Sequence, residues 1–188
     1  KNRGVQCVAM RALKEIFTLV ILAVLIVVPV RVFIAQPFVV EGLSMYPTFK
    51  DKDYLIIDEI SYRFSNPLRG DVIVFRYPGN PSVFYIKRII GLPGETVSID
   101  HGIVTVTHVN GEKTTLAEPY VVDEDATYTL DAILGNEQYF VMGDNRPKSS
   151  DSRVWGPLPK EDIIGRAYLR VYPVAHAGIL PGEAALPQ

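Results

Sequence analysis

Residues 71–90 read "DVIVFRYPGNPSVFYIKRII", two β-branched and aromatic runs separated by Pro78-Gly79-Asn80. Val, Ile, Phe and Tyr suit a pleated backbone and Pro-Gly-Asn suits a turn, so the stretch predicts strands at 71–77 and 83–90 with a tight connection. The second strand holds an anomaly: Lys87 and Arg88 stand side by side in a nearly unbroken apolar run. Alternation groups Lys87 with Val83, Tyr85 and Ile89, and Arg88 with Phe84, Ile86 and Ile90. It leaves open which of the two cations points inward.

The same signature continues on both sides of this hairpin. "DYLIIDEI" (53–60), "TVSID" (96–100), "IVTVTHV" (103–109), "QYFVMG" (138–143) and "IIGRAYLRVY" (163–172) read as strands. Asn66-Pro67, Pro93-Gly94, Asn110-Gly111 and Gly135-Asn136 read as the turns or loops between them. No sustained helical periodicity, internal repeat or long linker follows residue 36. The expectation is a mainly β fold: an antiparallel, coiled or barrel-like domain over residues 36–173. The small-residue-rich "AHAGILPGEAALPQ" that ends the chain predicts a flexible tail over 174–188.

Upstream, Ile16–Val30 ("IFTLVILAVLIVVPV") carries no charge. Fifteen residues are too few for a ~30 Å hydrocarbon core, but continuing through "VFIA" to residue 35 makes the run long enough. Arg31 near that end can snorkel to headgroups, and Pro29 can kink or finish the helix. A buried core helix would rarely be apolar on every face. A cleaved secretory signal would end in small residues, whereas "QPFVVEG" is bulky. One retained transmembrane helix over 16–35 is therefore expected, after a segment 1–15. Lys1, Arg3, Arg11 and Lys14 place that segment in the cytoplasm and the β domain on the outer side of the membrane.

From Gln36 onward, 14 basic residues face 20 acidic ones, with no basic cluster. That balance argues against nucleic acid as a partner. The single cysteine, Cys7, precludes an intramolecular disulfide, so cysteine usage does not report the compartment.

"EGLSMYPTF" (41–49) places a serine just beyond the predicted span. A serine hydroxyl is a weak nucleophile without a base. His101, His108 and His176 lie in no distinctive motif, so a Ser-His-Asp triad is unsupported, though not excluded. Lys87 differs, because desolvation lowers a lysine pKa and a neutral amine near pH 7 can take a proton. Arg88 cannot serve that way. Composition alone favours a lysine on an exposed strand face over a buried base.

Four boxes in order change that balance: "SMYPT" (44–48), "RGDVIVF" (69–75), "YIKRIIGLPGE" (85–95) and "GDNRPKSSDSRVWGPLP" (143–159). With the apolar run before them they resemble the bacterial type I signal peptidases, membrane-bound serine proteases that remove signal peptides from exported pre-proteins. The resemblance covers the chain from the apolar run to about Tyr172. It implies Ser44 as nucleophile and Lys87 as general base, with no metal and no cofactor. It further implies that Ser149 hydrogen-bonds and orients the lysine, while Asp151 and Arg153 form a supporting ion pair. Asp144, Asn145 and Arg146 read as scaffold. Some family members carry a serine two residues before the nucleophile; here that position is Gly42, so the Ser44 and Gly42 N–H groups become the candidate oxyanion donors. Val40, Met45, Phe49, Tyr85 and Ile86 would line pockets for small side chains one and three positions before the cut. Signal peptides and the lipid bilayer are the implied partners.

Two other readings compete with this one. A self-cleaving Ser-Lys protein resembling the SOS-response repressors would need a DNA-binding segment, which is not seen. A membrane-anchored β module that binds peptides without cutting them is opposed by the presence of both Ser44 and Lys87. "AHA" at 175–177 also fits a small-x-small pattern, but small-residue tails are common and self-trimming there is not expected.

Overall fold

The computed structural model describes residues 13–25, 35–123 and 125–188. The chain divides into two units, Lys1–Gln36 and Pro37–Gln188. In the first unit, residues 13–25 form a helix, α1, with every residue exposed. These 13 residues rise about 20 Å, short of a ~30 Å hydrocarbon core. No helix among the described residues is long and apolar enough to cross a membrane. The predicted span over 16–35 falls partly on residues 26–34, which lie outside the described residues.

The second unit is mainly antiparallel β. One sheet runs β1 (Ala35–Val39), β2 (Tyr54–Asp58), β11 (Ile163–Tyr172), β3 (Val72–Tyr77), β4 (Asn80–Gly91), β9 (Gln138–Met142), β10 (Leu158–Pro159), with β12 (Gly178–Ile179) added to β11. The other runs β7 (Lys113–Thr115), β6 (Ile103–Thr107), β5 (Thr96–Asp100), β8 (Leu130–Ile133). The hairpin read from residues 71–90 is present, with Ile73 opposite Lys87 and Val72 opposite Arg88. Its second strand starts at Asn80 rather than at 83, and a register shift between Arg76 and Tyr77 absorbs the extra residues.

β3 is buried over Val72–Phe75 because both faces of its sheet are covered. Val72 and Val74 join Val40, Met45, Phe49, Leu55 and Ile57 in one apolar cluster. Ile73 and Phe75 join Ile89, Tyr139, Val141 and Leu158 in another. The second sheet packs Val97, Ile99, Val104 and Val106 on Ile90, Phe140 and Met142. Such continuous apolar strands are what two-sided burial requires.

The expected barrel-like closure is not what forms: among the described residues both sheets are open. β4 leaves the first sheet at Gly91, and the chain turns into β5 of the second. A Cβ on Gly91 would lie 2.4 Å from Val97 Cγ2 and 2.7 Å from Leu134 Cδ1, so a larger residue at this crossing would have to displace packed core side chains. β10, at two residues, is too short to carry a closing ladder. Two single-turn helices, α2 (Ser61–Phe64) and α3 (Ser152–Trp155), also interrupt the strands.

Residues 174–188, read from the sequence as a flexible tail, run back along the second unit. β12 pairs Gly178 with Arg170 and Ile179 with Leu169. Beyond it, Leu180 N–H donates to Tyr168 O at 2.7 Å, and Leu186 is buried.

Candidate active site

Ser44 sits on the loop between β1 and β2, half-buried, while the residues around it are anchored. Met45 and Phe49 are sunk in the apolar cluster at 1% and 0% exposure, and Phe49 N–H closes the turn on Met45 O at 2.8 Å. The following polar loop is tied to this one twice. Asn145 N–H donates to Ser44 O at 3.0 Å, and Thr48 Oγ1 donates to Asp144 Oδ2 at 2.5 Å. The approach is close enough that a Cβ on Gly143 would meet Ser149 Oγ at 2.2 Å and Ser44 O at 2.5 Å.

β4 delivers the second group. Lys87 is 3% exposed, and its Nζ lies 2.8 Å from Ser44 Oγ and 2.9 Å from Ile86 O. Both partners are neutral. Burial lowers the Lys87 pKa from 10.5 to about 8, against the upward pull of the Asp151 and Asp144 carboxylates. Desolvation wins because no carboxylate is bonded to the amine, so an appreciable share of it is neutral near pH 7. A hydroxyl bonded to such an amine can lose its proton as it attacks an electrophile.

The carboxylates are occupied elsewhere. Asp151 is fully buried, accepts the Gly143 N–H at 3.0 Å, and takes Arg153 Nε on Oδ1 at 2.9 Å and Nη2 on Oδ2 at 3.0 Å. It also caps α3 by accepting the Arg153 N–H. Asp144 takes Arg88 Nε at 2.9 Å and Nη2 at 2.6 Å, a bidentate pair in which both side chains are buried.

Ser44 and Lys87 open into a groove of about 570 Å³ walled by residues 38–44 and 82–87. Its lining is largely apolar, from Phe38, Val40, Leu55, Val74 and Ile86. Phe38 and Phe84 meet edge-to-face with centroids 5.7 Å apart. The Ser44 hydroxyl and the buried Lys87 amine are thus bonded to each other on the wall of a largely apolar groove.

Residues 13–172 match the family model described as signal peptidase, peptidase S26. The chain belongs to that family. The probable signal peptidase I-1 of Synechocystis sp. is 38% identical over 183 residues, covering 93% of this chain and 90% of that protein. The signal peptidase I of Leptolyngbya laminosa is 39% identical over 166 residues, covering 85% and 79%. A crystal structure of a signal peptidase I from Enterococcus faecalis V583 is 32% identical, covers 54% of this chain and 97% of that one, and superposes with a TM-score of 0.46.

Against the resemblance drawn from sequence, this signal peptidase-family site differs in three places. Ser149 Oγ is buried but makes no hydrogen bond, so the expected Ser149–Lys87 bond is not formed; the amine's bonds go to Ser44 and Ile86 instead. The Gly42 N–H is already committed to Asp51 Oδ1 at 2.9 Å, which removes it as an oxyanion donor in this conformation. Among the described residues the Ser44 N–H has no such partner. Val40, Tyr85 and Ile86 do line the groove, whereas Met45 and Phe49 belong to the core beneath the serine loop.

Sequence reasoning missed the braces behind the site. Glu118 accepts Arg146 Nη2 at 2.5 Å and the Tyr120 hydroxyl at 2.8 Å, and the Tyr120 ring stacks 3.9 Å from the Arg88 guanidinium. "AEPYVVD" has no strand or helix period, so only the isolated Glu and Tyr in a Pro-containing loop hinted at it.

Proposed function

We propose that this chain removes signal peptides from exported pre-proteins, with Ser44 as nucleophile and Lys87 as general base. The observation that carries the assignment is the 2.8 Å bond between Lys87 Nζ and Ser44 Oγ at a lysine only 3% exposed. A substrate strand enters between β1 and β4, adding backbone hydrogen bonds to both edges, and the apolar lining admits small uncharged side chains. Lys87 takes the hydroxyl proton as Ser44 Oγ attacks the scissile carbonyl. The resulting ammonium gives its proton to the leaving amine, and the same amine then activates the water that releases the acyl group.

The oxyanion is held by the free Ser44 N–H. Asp151 and Arg153 keep Gly143 against the Ser44 carbonyl. Ser149, with an unused hydroxyl in the same crowded space, accepts from Lys87 when the ammonium forms. Residues 16–35 anchor the enzyme in the cytoplasmic membrane, with residues 1–15 inside and the β domain outside. Tethering raises the effective concentration at the cleavage site of a membrane-embedded signal sequence. Purified protein incubated with a pre-protein bearing an Ala-x-Ala site should release the mature product, and neither Ser44→Ala nor Lys87→Ala should. Cleavage that survives both substitutions refutes the assignment.

A further inference from the structure

We propose that residues 178–188 are a positioning element of the catalytic site, fixing from behind the strand that holds Lys87. The inference rests on the proposed catalytic reading and adds to it a part of the chain outside the family match at 13–172.

Arg88 follows Lys87 on β4 and is completely buried. Asp144 satisfies Nε and Nη2, leaving Nη1, which donates to Gly70 O at 2.9 Å and to Gly182 O at 2.5 Å. Gly182 thus supplies the last acceptor of a guanidinium one residue from the base. It also bears on the nucleophile's loop: a Cβ on Gly182 would sit 2.3 Å from Thr48 Cγ2 and 3.2 Å from the Phe49 ring. Thr48 in turn donates to Asp144, the partner of Arg88. One turn of the terminal segment therefore touches the Ser44 loop and the strand of Lys87 together.

The segment is fastened on both sides of Gly182. Before it, β12 pairs with β11. After it, Arg69 Nε donates to Pro187 O at 2.5 Å, and Arg69 and Gln188 exchange two bonds, each 3.1 Å. Gly70 lies so near the segment that a Cβ there would be 2.3 Å from Ala184 O. Gly70 N–H bonds Ile89 O at 2.9 Å, which returns the restraint to β4. Removing the segment takes the Gly182 carbonyl from Arg88 and opens the Arg88–Asp144 pair to water. Small displacements of reacting groups are costly to rate, so the loss should fall on the chemical step.

The test compares the full chain with a chain ending at Ala177 and with Gly182→Val in the full chain, on a peptide carrying an Ala-x-Ala site. The shortened chain should lose kcat by about tenfold or more with KM within about twofold, and a synthetic peptide of residues 178–188 should restore kcat saturably. Gly182→Val, whose positive φ of 79° and crowding push the turn away, should lower kcat in the same sense. Unchanged kcat in the shortened chain overturns the proposal, as does a loss confined to KM. Should the shortened chain not fold, Gly182→Val decides: a folded variant with full kcat also overturns it. Failure of the unmodified chain to cut any such peptide would instead refute the catalytic reading itself.

Discussion

Lys87 and Arg88 are adjacent on one strand, both buried, and surrounded oppositely. Arg88 meets Asp144 through two bonds, two backbone carbonyls and a Tyr120 face. Lys87 meets a hydroxyl, one carbonyl and the Tyr85 ring at 5.1 Å, but no bonded carboxylate. The first environment stabilises a charge that cannot be shed, since arginine stays protonated. The second withholds stabilisation, so the amine surrenders its proton at a pH where free lysine would not. Two buried basic groups thus stand in opposite settings: one is fully paired and holds the loops together, and the other is left without a bonded carboxylate, as the proposed role of a base requires.

Removing the reacting pair should have the largest effect. Ser44→Ala and Lys87→Ala should each lower kcat/KM by roughly 10⁴-fold or more, and the double substitution should cost little beyond either one. Lys87→Arg should be as inactive as Lys87→Ala, because it restores charge without a usable base. Substantial activity in Lys87→Arg would mean that position 87 supplies only charge.

Breaking the other member should cost stability. Asp144→Asn leaves Arg88 buried without its counter-ion, and a loss of about 3–5 kcal/mol is expected in denaturant unfolding. A change under about 1 kcal/mol would show that the pair is dispensable.

The comparison also predicts a gain. Burial lowers the folded-state pKa of Lys87 to about 8 from 10.5, so between those values the unfolded chain holds the proton more tightly and stability rises with pH. Below pH 8 the folded state carries the full cost. Lys87→Met should therefore be inactive yet more stable at pH 7 by on the order of 3 kcal/mol, with the gain shrinking toward pH 10. Equal destabilisation at both pH values would contradict this.

Much of this division was legible in the sequence, and its limits have physical causes. β-branched and aromatic runs marked β3, β4, β5 and β11; burial is continuous in β3 and at the end of β4, whereas β5 alternates. β7, β8, β10 and β12 run two to four residues, too short for any period to show. Ser44 and Lys87 stood out through their boxes, but alternation could not say that both cations of the hairpin are buried. The resemblance points to Gly42 through its place two residues before Ser44, and nothing in the sequence shows that Asp51, nine residues on, takes its N–H. The resemblance implies pocket walls at Met45 and Phe49, whereas both lie in the core beneath the serine loop, a burial that their neighbours in sequence do not signal. The terminal segment looked unstructured because its bonds are made largely by backbone carbonyls, which carry no sequence signal.

The most direct test of the account is the titration of Lys87 itself, followed by NMR of lysine labelled at Cε in the folded protein and assigned by its loss in Lys87→Met. A midpoint near 8 is expected, matched by a rise of kcat/KM through the same pH. A midpoint at the ordinary lysine value near 10.5, with a rate that does not follow it, would contradict the claim that poor pairing makes this amine a base.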